Sequence, residues 1–380
     1  MPFRPKHPLA ITMWDFSWIE RRWTGAGYED WDVALDELVE RGYDAVRIDA
    51  YPHLVASDPG KEWLVHSCGQ HGTWGTPAPV RIRILPELLE FIGKCRDRKV
   101  MVGLSTWYKE DAENVRGRIK TPQDQAVQWL TTLRHIDKAG LLDSICYVDL
   151  CNEFPWPKWA VFLYRTQDAP EMPLDSPELA AWMNAAIAPL KSAYPQLDYT
   201  FSFYSQAERW AKADVSSFGV LEPHIWMAAS GTSDYYARIG YSSKTDSFQR
   251  VVEAGKQEYL ARKAYYDERL TGLIDKTAAW SRAVGLPLIT TECWALIHYK
   301  DWPQLEWDWI KEICELGVRQ AAATGRWTGI ATSNFCGPQF VGMWRDIGWH
   351  RRMTKLIREA DIDVALQSRG AAGQAGVDRG

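Results

Sequence analysis

The chain has 380 residues, of which 46 % are hydrophobic and 24 % charged, a composition typical of a globular protein with a sizeable core. Its 44 basic and 49 acidic side chains are interspersed and give a formal net charge of −5, which argues against nucleic-acid and anionic-membrane binding. No apolar run reaches the roughly eighteen residues that cross a bilayer.

The seven cysteines are scattered without paired spacing, which indicates reduced, buried thiols. The first residues, 1–7, contain no apolar signal core. We therefore expect a cytoplasmic protein without nucleic-acid or membrane partners, and the sequence leaves a homo-oligomer open.

Tryptophan is abundant, with 21 residues, and aromatic residues make up 13 % of the chain. Many of these rings must belong to the core, but several follow the ends of predicted strands. Flat aromatic rings stack well on the apolar C–H faces of sugars. The composition therefore favours a carbohydrate ligand.

Strand and helix patterns alternate along the whole chain. In order, they predict a strand over 9–14, a helix over 30–42, a strand over 44–49, a helix over 86–98, a strand over 100–105, a helix over 121–139, a strand over 144–154, a helix over 176–194, strands over 199–204 and within 217–227, a helix over 248–284, a strand over 286–292, a helix over 307–324, a strand over 328–335 and a helix over 347–359.

Eight strands that alternate with helices predict an α/β protein, a single-domain (β/α)8 TIM barrel over residues 1–360. A doubly wound open sheet also alternates, but it usually carries a glycine-rich phosphate loop after its first strand. Here that strand runs into Trp14-Asp15-Phe16-Ser17-Trp18, without glycine. The small, polar segment 361–380 is expected to be a mobile tail.

The carboxyl ends of barrel strands face one shared site. Glu153 follows the fourth predicted strand, and Glu292 ends the seventh. Paired carboxylates cleave glycosidic bonds with retention when they lie ~5–5.5 Å apart, and with inversion at ~6.5–9.5 Å. Further candidate residues at strand ends are Asp15, Arg47, Asp49, Trp107, Asn152, His224, Trp226, Trp294 and Asn334.

This pattern resembles the retaining glycoside hydrolases on (β/α)8 barrels, most closely the cellulase-like relatives of glycoside hydrolase family 5. Asn152-Glu153 matches the strand-four pair that supplies the acid/base, and Glu292 matches the strand-seven nucleophile. Arg47 resembles the arginine beside the nucleophile, and His224 the histidine of strand six. The resemblance covers residues from about 9 to 340.

The sequence departs from the family pattern at three strand ends. Trp226 replaces the strand-six tyrosine that usually contacts the nucleophile. Asn334-Phe335 stands where strand eight often carries a tryptophan, and Ser105-Thr106-Trp107 replaces a strand-three histidine. The usual sugar platform and tyrosine hydroxyl must therefore come from elsewhere or be missing.

The resemblance implies a retaining β-glycosidase that hydrolyses an oligosaccharide or small glycoside through a covalent glycosyl-enzyme intermediate, without metal or cofactor. Glu153 would be the acid/base, and Glu292 a nucleophile held ionised by Arg47. Asn152 would bind the hydroxyl beside the anomeric carbon. The remaining candidates would contact the carbohydrate: Asp15, Asp49, Trp107, His224, Trp226, Trp294 and Asn334.

Three other interpretations stay open. A transglycosidase would use the same glutamates with a sugar acceptor, and a non-catalytic sugar-binding barrel would keep the fold alone. A metal-dependent barrel hydrolase is third: the segment 66–71 offers two histidines and a cysteine, but their spacing matches no structural zinc signature. Long loops over 50–84 and 228–246 are expected to wall the site and to favour short substrates.

Overall fold

The computed structural model describes residues 5–67, 75–164, 166, 168–242, 247–298 and 306–367. Most of segment 66–71 and most of the predicted tail lie outside the described residues. No helix within these ranges is long and apolar enough to span a membrane.

Thirteen short strands form the sheets of the described chain. They are β1 (Leu9–Thr12), β2 (Ala45–Asp49), β3 (Trp63–Val65), β4 (Val80–Ile82), β5 (Met101–Ser105), β6 (Ile145–Asp149), β7 (Tyr199–Thr200), β8 (Ser202–Phe203), β9 (Glu222–Pro223), β10 (Ile225–Trp226), β11 (Leu288–Thr290), β12 (Cys293–Trp294) and β13 (Trp327–Ala331).

Helices connect these strands. They are α1 (Ser17–Glu20), α2 (Trp31–Glu40), α3 (Pro52–Ser57), α4 (Ile84–Asp97), α5 (Pro122–Lys138), α6 (Pro177–Ala193), α7 (Tyr235–Arg238), α8 (Lys256–Ala261), α9 (Lys263–Val284), α10 (Asp308–Ala323), α11 (Val341–Trp344), α12 (Ile347–Arg358) and α13 (Val364–Gln367). Short 3₁₀ turns cover Val115–Arg118, Leu142–Ser144, Val161–Leu163 and Trp210–Lys212, and a π turn covers Val251–Gly255.

Seven of the strands make one curled parallel sheet, in the order β11-β13-β1-β2-β5-β6-β7. The chain of β7 continues into β8, which pairs in parallel with β9. A bridge between Leu221 and Leu288 and the pairing of β10 with β12 then join the two ends of the sheet. The predicted (β/α)8 barrel is confirmed, with eight strand positions around a closed ring.

Local sequence explains why the helices begin where they do. Asp30 accepts hydrogen bonds from the amides of Asp32 and Val33 at the start of α2. Thr121 and Asp124 form a capping box around Pro122 at the start of α5. The apolar faces of such helices pack on strands that are buried on both faces, as expected for a parallel sheet.

Several boundaries differ from the sequence-based expectation. The strand predicted over 144–154 ends at Asp149, and the helix predicted over 248–284 is broken at Arg262, whose φ and ψ are −129° and 28°. The loop over 50–84 carries α3 and the β3–β4 hairpin, which periodicity had not revealed. Of the predicted tail, Val364–Gln367 forms a helical turn with Leu366 buried.

The cysteines agree with expectation where they are described. Six cysteines are buried and unpaired, and Cys68 lies outside the described residues. The 50–84 loop is tied to the loops that follow β1 and β5: the Arg21 guanidinium donates to the Gly75 carbonyl at 2.7 Å, and the His66 amide donates to the Glu110 carbonyl at 2.8 Å. This loop therefore lies at the carboxyl end of the barrel.

Candidate active site

The Asn152-Glu153 pair lies on a tight turn that follows β6. Asp149, at the end of the strand, fixes this turn through its carboxylate. Its donors are the Cys151 amide at 3.3 Å, the Ser202 amide at 2.9 Å, the Ser202 hydroxyl at 3.0 Å and the Ser105 hydroxyl at 2.8 Å. Glu153 then takes a φ of +50°, a left-handed value that ends the strand alternation. Asn152 and Glu153 can therefore serve one site.

Arg47, on β2, is the hub of this site and is fully buried. Its guanidinium contacts three carboxylates: Asp15 at 2.9 Å, Glu222 at 2.7 Å and Glu292 at 2.9 Å. It also donates to the Asn152 side-chain oxygen at 2.6 Å and to the Thr291 hydroxyl at 2.6 Å. One positive charge on the second strand thus orders groups from four other strand positions of the barrel.

Glu153 and Glu292 face each other across this hub. One oxygen of Glu153, one oxygen of Glu292 and one ring nitrogen of His224 all lie within 4.8 Å of one another. The two glutamates are 6 % and 5 % exposed, whereas Asp15 and Glu222 are 0 % and 1 % exposed. Among the carboxylates around Arg47, Glu292 is therefore the one that a substrate can reach, and Glu153 stands opposite it.

The tautomer of His224 follows from its neighbours. Its Nε2 atom lies 3.2 Å from an Arg47 nitrogen, and a guanidinium can only donate. Nε2 must then accept, so the proton sits on Nδ1, 3.4 Å from Glu153 Oε1 and 3.7 Å from Glu292 Oε1. Burial, with the charge of Arg47, lowers the pKa of His224 well below its usual value and keeps the ring neutral.

The two glutamates titrate as a pair. Burial raises the pKa of Glu153 to about 7, against hydrogen bonding from Trp159 and the positive charges of Lys158 and Arg47. Burial, and then repulsion by Glu153, raises the pKa of Glu292 well above its usual value, and Arg47 opposes this rise. Two interacting carboxyls of this kind hold one proton between them near neutral pH.

Arg47 decides where that proton resides. Its guanidinium is 2.9 Å from Glu292 Oε1, and this charge-assisted bond favours the ionised form of Glu292. The shared proton is then placed on Glu153, whose Oε2 accepts from Trp159 Nε1 at 3.2 Å. That Arg47 and hydrogen bonds hold Glu292 ionised stays a prediction, and Arg47 also contacts Asp15 and Glu222.

Two buried donors beside the glutamates have no hydrogen-bond partner within the described part of the chain. They are the Asn152 side-chain nitrogen and the Trp226 indole nitrogen. A buried donor without an acceptor is costly, so both atoms are suited to an acceptor that arrives with a ligand. Trp226 also packs edge-on against His224, at a centroid distance of 5.6 Å.

Asp15, Asp49 and Trp107 lie beneath the site. Asp15 accepts from Arg47 and, at 2.5 Å, from the Trp107 indole nitrogen. Asp49 accepts from the backbone amides of Tyr51 and Trp107 at 2.8 and 2.9 Å, and burial raises its pKa to about 7. Both aspartates are fully buried, and in this structure they hold Arg47 and the loop amides. Their contact with substrate stays a prediction.

Trp294 and Asn334 both make hydrogen bonds within the protein. Trp294 is fully buried, its indole nitrogen donates to the Ala331 carbonyl at 2.8 Å, and a Cβ at Gly317 of α10 would lie 2.5 Å from its ring. It packs between barrel and helix. Asn334 is oriented so that its amide nitrogen donates to the carbonyls of Cys293 and Leu296 at 2.7 and 3.2 Å, which makes it a structural link between two loops.

Sequence reasoning missed three residues that shape the site: Asp149, Glu222 and Trp159. Glu222 lies two residues before His224 on the same strand face, so strand alternation could have placed it beside His224. Asp149 is the last residue of β6, just as Asp49 is the last residue of β2, so the same strand-end argument could have selected Asp149. Trp159 has no such signal, because an irregular turn brings it back to Glu153.

A metal ion is poorly suited to this centre. Glu153, His224 and Glu292 form the one set within the described chain with ligand atoms close enough to share an ion. Two features oppose one: the Arg47 guanidinium lies 2.9 Å from Glu292, and the inferred Nδ1 proton of His224 points into the same space. His66, in the segment weighed as a metal site, lies with Nδ1 3.9 Å from a Glu110 oxygen; Cys68 and His71 fall outside the described residues.

Comparison with known proteins agrees with this architecture. The sequence matches a family model described as sugar-binding cellulase-like over residues 11–358. The chain belongs to the sugar-binding cellulase-like family. No curated protein matches the sequence. The resemblance to barrel glycoside hydrolases, drawn from the strand-end residues, is confirmed.

Solved structures place this cellulase-like chain among glycoside hydrolase barrels. A candidate glycoside hydrolase from Parabacteroides distasonis is 45 % identical, with a TM-score of 0.92 over 96 % of this chain and 97 % of that one. The β-glycosidase BGL167 has a TM-score of 0.53 at 11 % identity, over 96 % and 99 % of the two chains. The endo-β-1,4-mannanase of Thermotoga petrophila also scores 0.53 at 11 % identity, over 93 % and 78 %. At that identity the last two share the fold alone.

Proposed function

We propose that this protein is a retaining β-glycosidase, with Glu292 as nucleophile and Glu153 as acid/base. The observation that carries the proposal is the short separation of the two carboxylates, whose nearest oxygens lie within 4.8 Å. Retaining enzymes hold their carboxyls ~5–5.5 Å apart, whereas inverting enzymes leave ~6.5–9.5 Å for a water molecule.

In the first step, the Glu292 carboxylate attacks the anomeric carbon. The bond to the leaving oxygen breaks, and the proton of Glu153 passes to that oxygen. The raised pKa of Glu153, about 7, leaves a substantial fraction of this acid protonated at neutral pH. Arg47 orients Glu292 through the 2.9 Å contact, and the free Asn152 amide nitrogen is suited to the neighbouring sugar hydroxyl.

In the second step, water attacks the anomeric carbon of the glycosyl-enzyme from the opposite face. Glu153, now ionised, takes the proton of that water, and the ester bond to Glu292 breaks. The proton thereby returns to Glu153 for the next turnover. Each glutamate acts twice, and no group outside the chain is required.

The stereochemistry of the first product tests this proposal. We expect time-resolved proton NMR on aryl β-glycosides and short β-linked oligosaccharides to show the β-anomer first, with the α-anomer appearing only by mutarotation. An α-anomer as the first product would mean inversion of configuration and would contradict the proposal. Binding of these sugars without any cleavage would instead support a non-catalytic barrel.

Glu222 offers a separate prediction about the charge of the site. Its Oε1 accepts from Arg47 at 2.7 Å, Thr291 at 2.6 Å and Tyr147 at 3.1 Å, and burial raises its pKa. A neutral Glu222→Gln side chain can still accept these bonds, so we expect kcat/KM to fall by no more than about threefold. Glu222→Ala removes the shared acceptor, and we expect a loss of about 10–100-fold.

The two Glu222 variants should be compared by kcat/KM and by thermal melting in the same buffer. A loss in Glu222→Gln as large as that in Glu222→Ala would show that the negative charge of Glu222 itself is needed. That outcome would contradict a role in which Glu222 serves only as the hydrogen-bond acceptor that holds Arg47.

A further inference from the structure

A row of aromatic rings leads from Glu153 towards the surface. Trp159, which donates to Glu153 at 3.2 Å, contacts Trp107 on one side and Trp156 on the other, at centroid distances of 4.8 and 5.6 Å. Trp156 in turn contacts Tyr204 at 5.9 Å. Trp107 and Trp159 are buried, whereas Trp156 and Tyr204 are partly exposed. The row therefore opens to a ligand at its Trp156–Tyr204 end.

Two opposite charges flank these open rings. Glu171 accepts hydrogen bonds from the Ser205 hydroxyl and, at 3.0 Å, from the Gln206 amide, which places it next to Tyr204. Burial raises the pKa of Tyr204, and the charges of Glu153 and Glu171 both add to the rise, so the three groups lie within electrostatic range. On the other side, the Lys158 ammonium lies 4.5 Å from the Trp159 ring centroid and 5.5 Å from that of Trp156.

The position of this cluster relative to Glu153 indicates its role. An acid that protonates the departing oxygen must lie beside the leaving group, with the nucleophile on the far side of the sugar ring. Trp156, Tyr204, Glu171 and Lys158 gather around Glu153, while Glu292 is held from the opposite side by Arg47. A leaving group that departs past Glu153 would contact these four side chains.

We propose, resting on the function proposed above, that Trp156, Tyr204, Glu171 and Lys158 form a leaving-group subsite that holds a neutral sugar. The flat rings fit the apolar C–H face of a pyranose. The carboxylate and the ammonium supply an acceptor and a donor for its hydroxyls. Their charges cancel, which favours a neutral sugar over a uronic acid or an amino sugar. The substrate is then a β-glycoside whose leaving group is a neutral sugar.

Comparing two kinds of substrate isolates this subsite. In a β-glycosyl fluoride the leaving group is a single atom, which needs no proton from Glu153 and cannot reach Trp156. In a β-linked disaccharide the leaving group is a second sugar ring. We would measure kcat/KM of wild type, Trp156→Ala and Glu171→Gln on the fluorides and on β-1,3- and β-1,4-linked disaccharides of glucose, galactose and mannose. Disaccharides whose leaving sugar is an amino sugar or a uronic acid complete the panel.

We expect the ratio of disaccharide to fluoride kcat/KM to fall about tenfold in Trp156→Ala, the effect of losing one aromatic contact. We expect a smaller fall, of about threefold to tenfold, in Glu171→Gln, which can still accept from Ser205 and Gln206. Trp23→Ala is the matched control: Trp23 is 39 % exposed on the loop after α1, beside the Arg21 guanidinium, and its loss should leave the ratio unchanged.

Equal losses on both substrate types in Trp156→Ala and Glu171→Gln would overturn the subsite. Faster cleavage of disaccharides that leave an amino sugar or a uronic acid would overturn its neutral character. Failure of the wild type to hydrolyse any fluoride would count against the glycosidase itself, so the two failures are distinguishable. If Trp156→Ala does not fold, Glu171→Gln and Trp156→Phe, which keeps an aromatic ring, carry the same comparison.

Discussion

Removing the side chain of Glu292 is expected to abolish turnover, and azide is expected to restore it with inverted stereochemistry. Loss of a nucleophile typically costs on the order of 10⁴-fold or more in kcat. In Glu292→Ala the lost carboxylate leaves room beside Arg47, whose guanidinium then lies where a small anion can bind. Azide would attack an activated aryl β-glycoside there, and the product should be the α-glycosyl azide.

The control for this experiment is Glu222→Ala, which removes another glutamate from the same guanidinium. The Glu222 side chain is buried away from substrate, so the Glu222→Ala variant should give no glycosyl azide when azide is added. Product anomers would be assigned by NMR. Wild-type rates in Glu292→Ala, or a β-glycosyl azide from it, would remove Glu292 from the role of nucleophile.

Replacing Glu153 is expected to reduce activity in proportion to how much the leaving group needs a proton. We expect Glu153→Gln to lose about 10²–10⁴-fold on disaccharides but far less on dinitrophenyl glycosides, whose leaving group departs as an anion.

The wild type should show a basic limb in its pH profile: Glu153 must be protonated, its pKa is about 7, and kcat/KM should fall as pH rises through that value. Glu153→Gln should lack this limb.

Trp159→Phe is the matched control for the pH experiment. The Trp159 indole donates to the Glu153 carboxylate and lowers its pKa, so its removal should move the basic limb to higher pH. An unchanged limb in both Trp159→Phe and Glu153→Gln would show that another group governs it. Equal losses of Glu153→Gln on disaccharides and dinitrophenyl glycosides would contradict a role as acid.

The sequence predicted the barrel and the facing glutamates because both rest on strong local patterns. Apolar strands alternate with capped helices, and acidic residues stand at the ends of two strands. Arg47 and His224 were found for the same reason, since each occupies a strand position whose neighbours are fixed by barrel topology. These predictions required the order of the strands and, for the roles of these residues, the resemblance to family 5 glycoside hydrolases.

What the sequence did not yield depends on irregular backbone and on packing. Trp294 follows Glu292 by two residues, yet its ring packs against Gly317 on α10, a contact set by helix position. Trp159 reaches Glu153 through a non-repetitive turn, and no periodicity describes such a turn. Asp15 and Asp49 were predicted as site residues because ionised groups at strand ends need partners. In the structure those partners are Arg47 and the loop amides.

The crowding of three carboxylates around Arg47 also affects the stability of the folded protein. Burial raises the pKa of Glu292, so folding near neutral pH demands either uptake of a proton or confinement of a charge that water would otherwise solvate. The catalytic machinery is thus a local source of instability, as is common where function and stability compete. Variants that lack the Glu292 carboxylate do not incur this free-energy cost of folding. They should withstand heat better than the active protein, which makes them the natural choice for trapping an uncleaved substrate in a crystal.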